Sequence, residues 1–169
     1  MRTSKHIQPK DSRTYQERRL QEHPNCFACG ANQPNDDGRC SGLGLGLRFE
    51  LVGNGIVEAT FACQQHFEGY PNMLHGGIAC MLLDAAMTNC LFANQITAVT
   101  GDMNVRFRKP IVIETTAVIR AWIESPQAPL YKVAAELRQD NRIKASAHAR
   151  FVERNTADQI VQDHPWQQN

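Results

Sequence analysis

The run from Leu74 to Met87, Leu-His-Gly-Gly-Ile-Ala-Cys-Met-Leu-Leu-Asp-Ala-Ala-Met, sets a single carboxylate among apolar residues just after a pair of glycines. Asp84 is the one Asp, Glu, Lys or Arg side chain between Glu68 and Asp102. An ionised carboxylate in such surroundings is costly unless it is paired, hydrogen-bonded or protonated. Carboxylates perturbed in this way concentrate at working sites, although structural ion pairs also produce them. The run itself reads as a buried helix that opens at His75-Gly76-Gly77. The first amides of a helix lack intrahelical partners and sit at the positive end of its dipole, so they can hold a developing oxyanion. A buried carboxylate and an oxyanion-binding helix start together suggest hydrolysis of an activated carbonyl.

The spacing carries a further consequence. Gly76 and Asp84 are eight residues apart, which is about 12 Å along a helix axis. An oxyanion donor must come within ~3 Å of the carbonyl oxygen, so one helix cannot bring both groups to one carbonyl. Two antiparallel helices related by a two-fold axis can, with the glycines of one facing the aspartate of the other. The spacing therefore argues for a homodimer with two shared sites.

The flanking sequence predicts the elements that hold this helix. Leu45 to Leu51 alternates apolar and other residues and reads as a strand. Asn54-Gly55 marks a hairpin turn, and Ile56 to Phe61 is the return strand. After the helix, which runs from His75 to about Ala93, strands are expected at Thr97–Arg108, Val112–Ile123, Leu130–Gln139 and Ile143–Glu153. Lys109-Pro110 ends the first of these, and Asp140-Asn141 is a tight turn before the last. One long apolar helix must bury most of its surface, and a single antiparallel sheet curled around it does so. The fold class is α+β.

With 169 residues, 42% of them hydrophobic, the chain suits one compact domain with tails. The division expected is a polar N-terminal extension over 1–24, a domain over 25–153 and a polar tail over 154–169. Tyr15 to Leu20 could form a short helix. A net charge of +1 gives no reason to expect nucleic acid or an acidic membrane as partner. No apolar run reaches the ~18 to 20 residues of a membrane span, and Met1 to Lys10 lacks the apolar region of a signal peptide. The six cysteines then fit a reducing cytoplasm.

His66-Phe67-Glu68-Gly69-Tyr70-Pro71-Asn72-Met73-Leu74-His75-Gly76-Gly77, then Leu82-Leu83-Asp84 and Gly101 to Pro110, resemble the hotdog-fold acyl-CoA thioesterases of the phenylacetate-pathway type. These belong to the 4-hydroxybenzoyl-CoA thioesterase superfamily. The lead-in Cys26-Phe27-Ala28-Cys29-Gly30 and Gly42-Leu43-Gly44-Leu45 resemble further relatives, and the likeness spans roughly 25–153. The resemblance implies an antiparallel sheet wrapped around one central helix, an acyl-CoA substrate, no cofactor beyond the coenzyme A of that substrate, and a homodimer, often a homotetramer. It places Asp84 as nucleophile or general base, Gly76 and Gly77 as the amides that polarise the thioester carbonyl, and Thr100 near the leaving sulfur. His75 joins them, as an oriented residue at the helix start rather than an acid or base. Some relatives carry an asparagine six residues before the histidine; here that position is Gly69, and His66 or Asn72 would have to stand in. Arg106, Arg108 and Lys109 are the candidates for the phosphates of coenzyme A, against the plainer reading of a solvated strand face.

Two other functions remain open on this reading: a hydratase on the same fold, using His66 or His75, and an acyl-CoA-binding module without turnover. Cys26, Cys29 and Cys40 with His23 could supply four zinc ligands. No second Cys-x-x-Cys or His-x-x-x-His pair accompanies them, so no metal is expected and a surface turn with free thiols is preferred.

Overall fold

The computed structural model describes residues 11–29 and 44–155. Helix α1 spans Ser12–Glu22, strand β1 Glu50–Leu51, β2 Val57–Cys63, helix α2 Gly76–Ala93, β3 Ala98–Phe107, β4 Thr115–Gln127, β5 Leu130–Gln139 and β6 Arg142–Glu153. The strands form one antiparallel sheet in the order β1-β2-β4-β5-β6-β3. Helix α2 packs against β2 to β6, which is the arrangement expected of a sheet wrapped round a central helix.

The register explains the wrap. Val57, Ala59, Phe61 and Cys63 alternate inward along β2, and Ala145, Ala147, Ala149 and Phe151 do so along β6. On β4, the strand against which the helix packs most, Ala117 and Ala121 leave room for close approach, while Leu82, Leu83, Met87, Leu91 and Phe92 fill the space from the helix side. With Ala79, Ala85, Ala86 and Ala93 also buried, α2 is apolar nearly all round. By length and composition it would pass as a membrane span, contrary to the expectation that no run is long enough; 67% of it is buried inside this fold instead.

Two of the expected strands are altered. The strand expected over Leu45–Leu51 shrinks to Glu50–Leu51. Gly46 adopts a φ of 61°, which breaks an extended ladder, and the amides of Leu45 and Leu47 bond instead to the carbonyls of Phe27 and Ala28. Leu45, Leu47 and Phe49 still point inward, so the alternation was right while the pairing partner was not. The strand expected from Val112 starts at Thr115, because Val112 pairs in isolation with Met73. Both predicted turns are present: Asn54, Gly55, Asp140 and Asn141 all have positive φ, as tight turns between twisted strands require.

Helix α1, in the segment expected to be a polar extension, lies on α2. It starts at Asp11, whose side chain accepts from the Thr14 amide, and it buries Tyr15 and Arg19. The Tyr15 hydroxyl donates to Asn89 Oδ1 at 2.8 Å in the core. Glu22 closes the helix against the rest of the domain, accepting from Thr97 at 3.1 Å and Arg154 at 2.7 Å.

Candidate active site

Helix α2 begins where the sequence predicted. His75 is its N-cap, and Nδ1 of the ring accepts the Gly77 amide at 3.0 Å. For Nδ1 to accept, the ring proton must sit on Nε2. The ring is closely confined: a β-carbon on Gly77 would lie 3.1 Å from His75 Nδ1, and one on Gly69 would lie 3.0 Å from His75 Cα. Glycine at 69, the departure from relatives with an asparagine there, thus makes room for the cap. His75 holds the helix start, and one of the two expected oxyanion donors, the Gly77 amide, is already engaged. The Gly76 amide has no hydrogen-bond partner among the described residues.

That free amide opens on a cleft of about 710 Å³ lined by Gly69, Tyr70, His75, Gly76, Phe107 and Arg108, among others. Tyr70 and Phe107 are 74% and 54% exposed, which is unusual for aromatic side chains without a partner. Phe107 comes closest to Gly76, with Cζ 3.6 Å from where a β-carbon there would sit. The sequence marked Phe107 only as part of an expected strand, and its position at the site was not foreseen. The visible signal was its place next to Arg108-Lys109-Pro110, where the strand ends.

Asp84 lies on the same helix, half-buried, and its Oδ1 accepts the Thr100 hydroxyl at 2.7 Å. The nearby Asn89 side chain is committed elsewhere, to the Tyr15 hydroxyl and the Ala85 carbonyl. Burial raises the Asp84 pKa above the ordinary carboxylate value, and the Thr100 hydrogen bond offsets this in part. A bulge in β3 makes the contact possible. Thr100 sits opposite Phe151 and Met103 opposite Ala149, with Gly101 as the extra residue between Thr100 and Asp102. Without it, strict alternation would put Thr100 and Phe107 on opposite faces of the sheet. With it, both face α2.

The other expected residues divide. Arg108 and Lys109 line the cleft. Arg106, opposite Ser146, is exposed on the outer face of β3, away from Asp84 and Gly76. His66 is exposed with its ring against Phe67, 3.9 Å between centroids. Asn72 sits in a turn at φ 62° with its amide bonded to Glu68 at 2.6 Å. His66, Asn72 and Arg106 do not line the cleft.

Cys40 lies outside the described residues. His23, Cys26 and Cys29 do come together, with their ligand atoms all within 4.8 Å of one another. Cys29 is buried rather than part of a surface turn, because its segment pairs with Leu45 and Leu47 and the Arg19 guanidinium donates to its carbonyl. Hydrogen bonds from Cys29 and His23 hold the Cys26 thiol well below the usual range, and Cys29 is pushed up in return.

Residues 71–146 match the family model described as the thioesterase superfamily. Acyl-coenzyme A thioesterase THEM4 of Mus musculus is 25% identical over 84 residues, which is 48% of this chain and 36% of that protein. The chain therefore spans a minor part of that relative's length. Among solved structures, the PaaI protein from the phenylacetic acid degradation operon of E. coli superposes with a TM-score of 0.61 at 17% identity, covering 64% of this chain and 80% of that one. A protein from Streptococcus mutans UA159 bound to acetyl CoA superposes with a TM-score of 0.60 at 18% identity, covering 63% and 87%. At such identities the structures establish the fold. The segment that matches the thioesterase superfamily model contains the glycine-led helix start, Asp84 and Thr100, and it sits in a hotdog fold like that of these structures.

Proposed function

We propose that this chain hydrolyses acyl-CoA thioesters as a homodimer, with each site built from two copies. The observation that carries this reading is the separation of two prepared groups on one helix. The free Gly76 amide faces an aromatic-lined cleft, while the Asp84–Thr100 pair lies two helical turns away and does not line it. Strand β3 supports the dimer: it ends the sheet, and its ten residues leave one edge without a partner among the described strands. A long bare edge pairs readily with a second strand. The name of the mouse relative and the acetyl CoA bound to the Streptococcus mutans protein support the substrate class.

In this mechanism the thioester carbonyl oxygen takes the Gly76 amide, and His75 keeps the helix start in shape. Asp84 of the partner subunit removes a proton from water as its oxygen attacks the carbonyl carbon. The tetrahedral intermediate collapses, the C–S bond breaks, and the thiolate leaves to be protonated; Asp84 releases its proton. Direct attack by Asp84, giving a mixed anhydride that water then cleaves, uses the same geometry. Arg108 and Lys109 meet the phosphates of coenzyme A at the cleft mouth. The test is thiol release from short, medium and aromatic acyl-CoAs by wild type and Asp84→Asn. Turnover in the wild type that drops roughly 10²- to 10⁴-fold in the variant supports the reading. Equal turnover in both, or none on any acyl-CoA, counts against it.

A further inference from the structure

We infer that His23, Cys26 and Cys29 form a metal site that takes one zinc ion per chain and fastens the N-terminal segment to the central helix. All three potential ligand atoms already converge within 4.8 Å. His23 Nδ1 stands 3.7 Å from Cys29 Sγ, close to the ~3.5 Å edge between nitrogen and sulfur in a zinc tetrahedron with bonds of about 2.0 and 2.3 Å. Small side-chain rotations bring these three ligands to zinc-binding distances.

The framework holds the three ligands from separate directions. His23 is the C-cap of α1, with its amide bonded to the Arg19 carbonyl at 2.8 Å, and its ring packs edge-on against Phe92 of α2 at 4.9 Å. The Cys26 amide turns back onto the His23 carbonyl at 3.5 Å. Cys29 is 1% exposed and lies beside the Asn89 side chain, which also takes the Tyr15 hydroxyl. A ligand set supported by such outer contacts is the usual condition of a metal centre. Two thiolates and an imidazole suit zinc over calcium or magnesium, and both cysteines bind as thiolates.

The position of the cluster gives it a consequence. The His23 ring packs on Phe92, so metal here ties the end of α1 to the C-terminal part of α2. Metal loading does not depend on whether the chain cleaves thioesters, and its test reads metal rather than turnover.

Full-length protein, purified under reducing conditions, is loaded with zinc or cobalt(II), dialysed, and assayed for metal by mass spectrometry and for thiolate-to-cobalt charge-transfer absorption. The expected result is about one equivalent with thiolate bands, lost in His23→Gln and in Cys26→Ser and kept in Cys80→Ser. Both ligand variants are at partly exposed positions, and circular dichroism reports whether they fold. Absence of retained metal in the wild type, undiminished metal in folded His23→Gln, or a Cys26–Cys29 disulfide in the reduced preparation overturns the proposal.

Discussion

At the scale of single residues, the chemistry turns on which groups are free and which are committed. The Gly77 amide is committed to His75 and the Gly76 amide is not. Gly76 is the first helical residue, where proline is well tolerated, and His75 before it has φ −59° and ψ 132°, a conformation that precedes proline without strain. Gly76→Pro therefore deletes the free donor with little other disturbance. Its kcat should fall by roughly 10²- to 10³-fold with the fold intact by circular dichroism; a near-normal kcat would move the oxyanion site elsewhere. Asp84 makes a second prediction. Its pKa is raised chiefly by burial, and the base must be ionised to work, so kcat/KM should fall as pH drops through a value above the ordinary carboxylate range. Thr100→Val removes the one hydrogen bond that favours the charged form, so the acid limb of the pH profile should move to higher pH. An unmoved limb would separate Thr100 from the ionisation of Asp84. Asp84, Gly76 and His75 were legible in sequence because a lone charge and a glycine pair stand out against an apolar run. Phe107 was not, since alternation alone cannot tell a core face from the wall of a cleft.

At the scale of elements, alternation located β2 through β6 to within a few residues, and the strong turn residues fixed both hairpins. The misses have local causes. The ladder expected from Leu45 fails at Gly46, where positive φ redirects the chain toward Phe27 and Ala28. The bulge at Gly101 resets the inward face of β3, and only knowledge of the pairing with β6 reveals it. Helix α1 has a polar composition, yet it is held by the buried Tyr15 as well as by Arg19 and Glu22. The Tyr15 hydroxyl and Asn89 Oδ1 are both buried. Tyr15→Phe leaves that oxygen unpaired, which should cost about 1–3 kcal/mol of stability in denaturant titration. A change within error would mean that α1 contributes little to the domain.

At the scale of the whole molecule, one chain carries two prepared groups on one helix and, among the described strands, an open sheet edge at β3. Helix α2 fixes the distance between Gly76 and Asp84, and no side-chain motion closes two turns of helix. A working site therefore has to lie between two copies. The most direct measurement mixes Asp84→Asn with Gly76→Pro after each has been shown inactive alone, with subunits exchanged by dissociation and reassociation. In a mixed dimer one site carries both lesions and the other carries none. Activity should then return to about a quarter of wild type at equal mixing with random pairing. If exchange is verified and activity stays at the level of the separate variants, the two groups do not meet across an interface, and the shared site is contradicted.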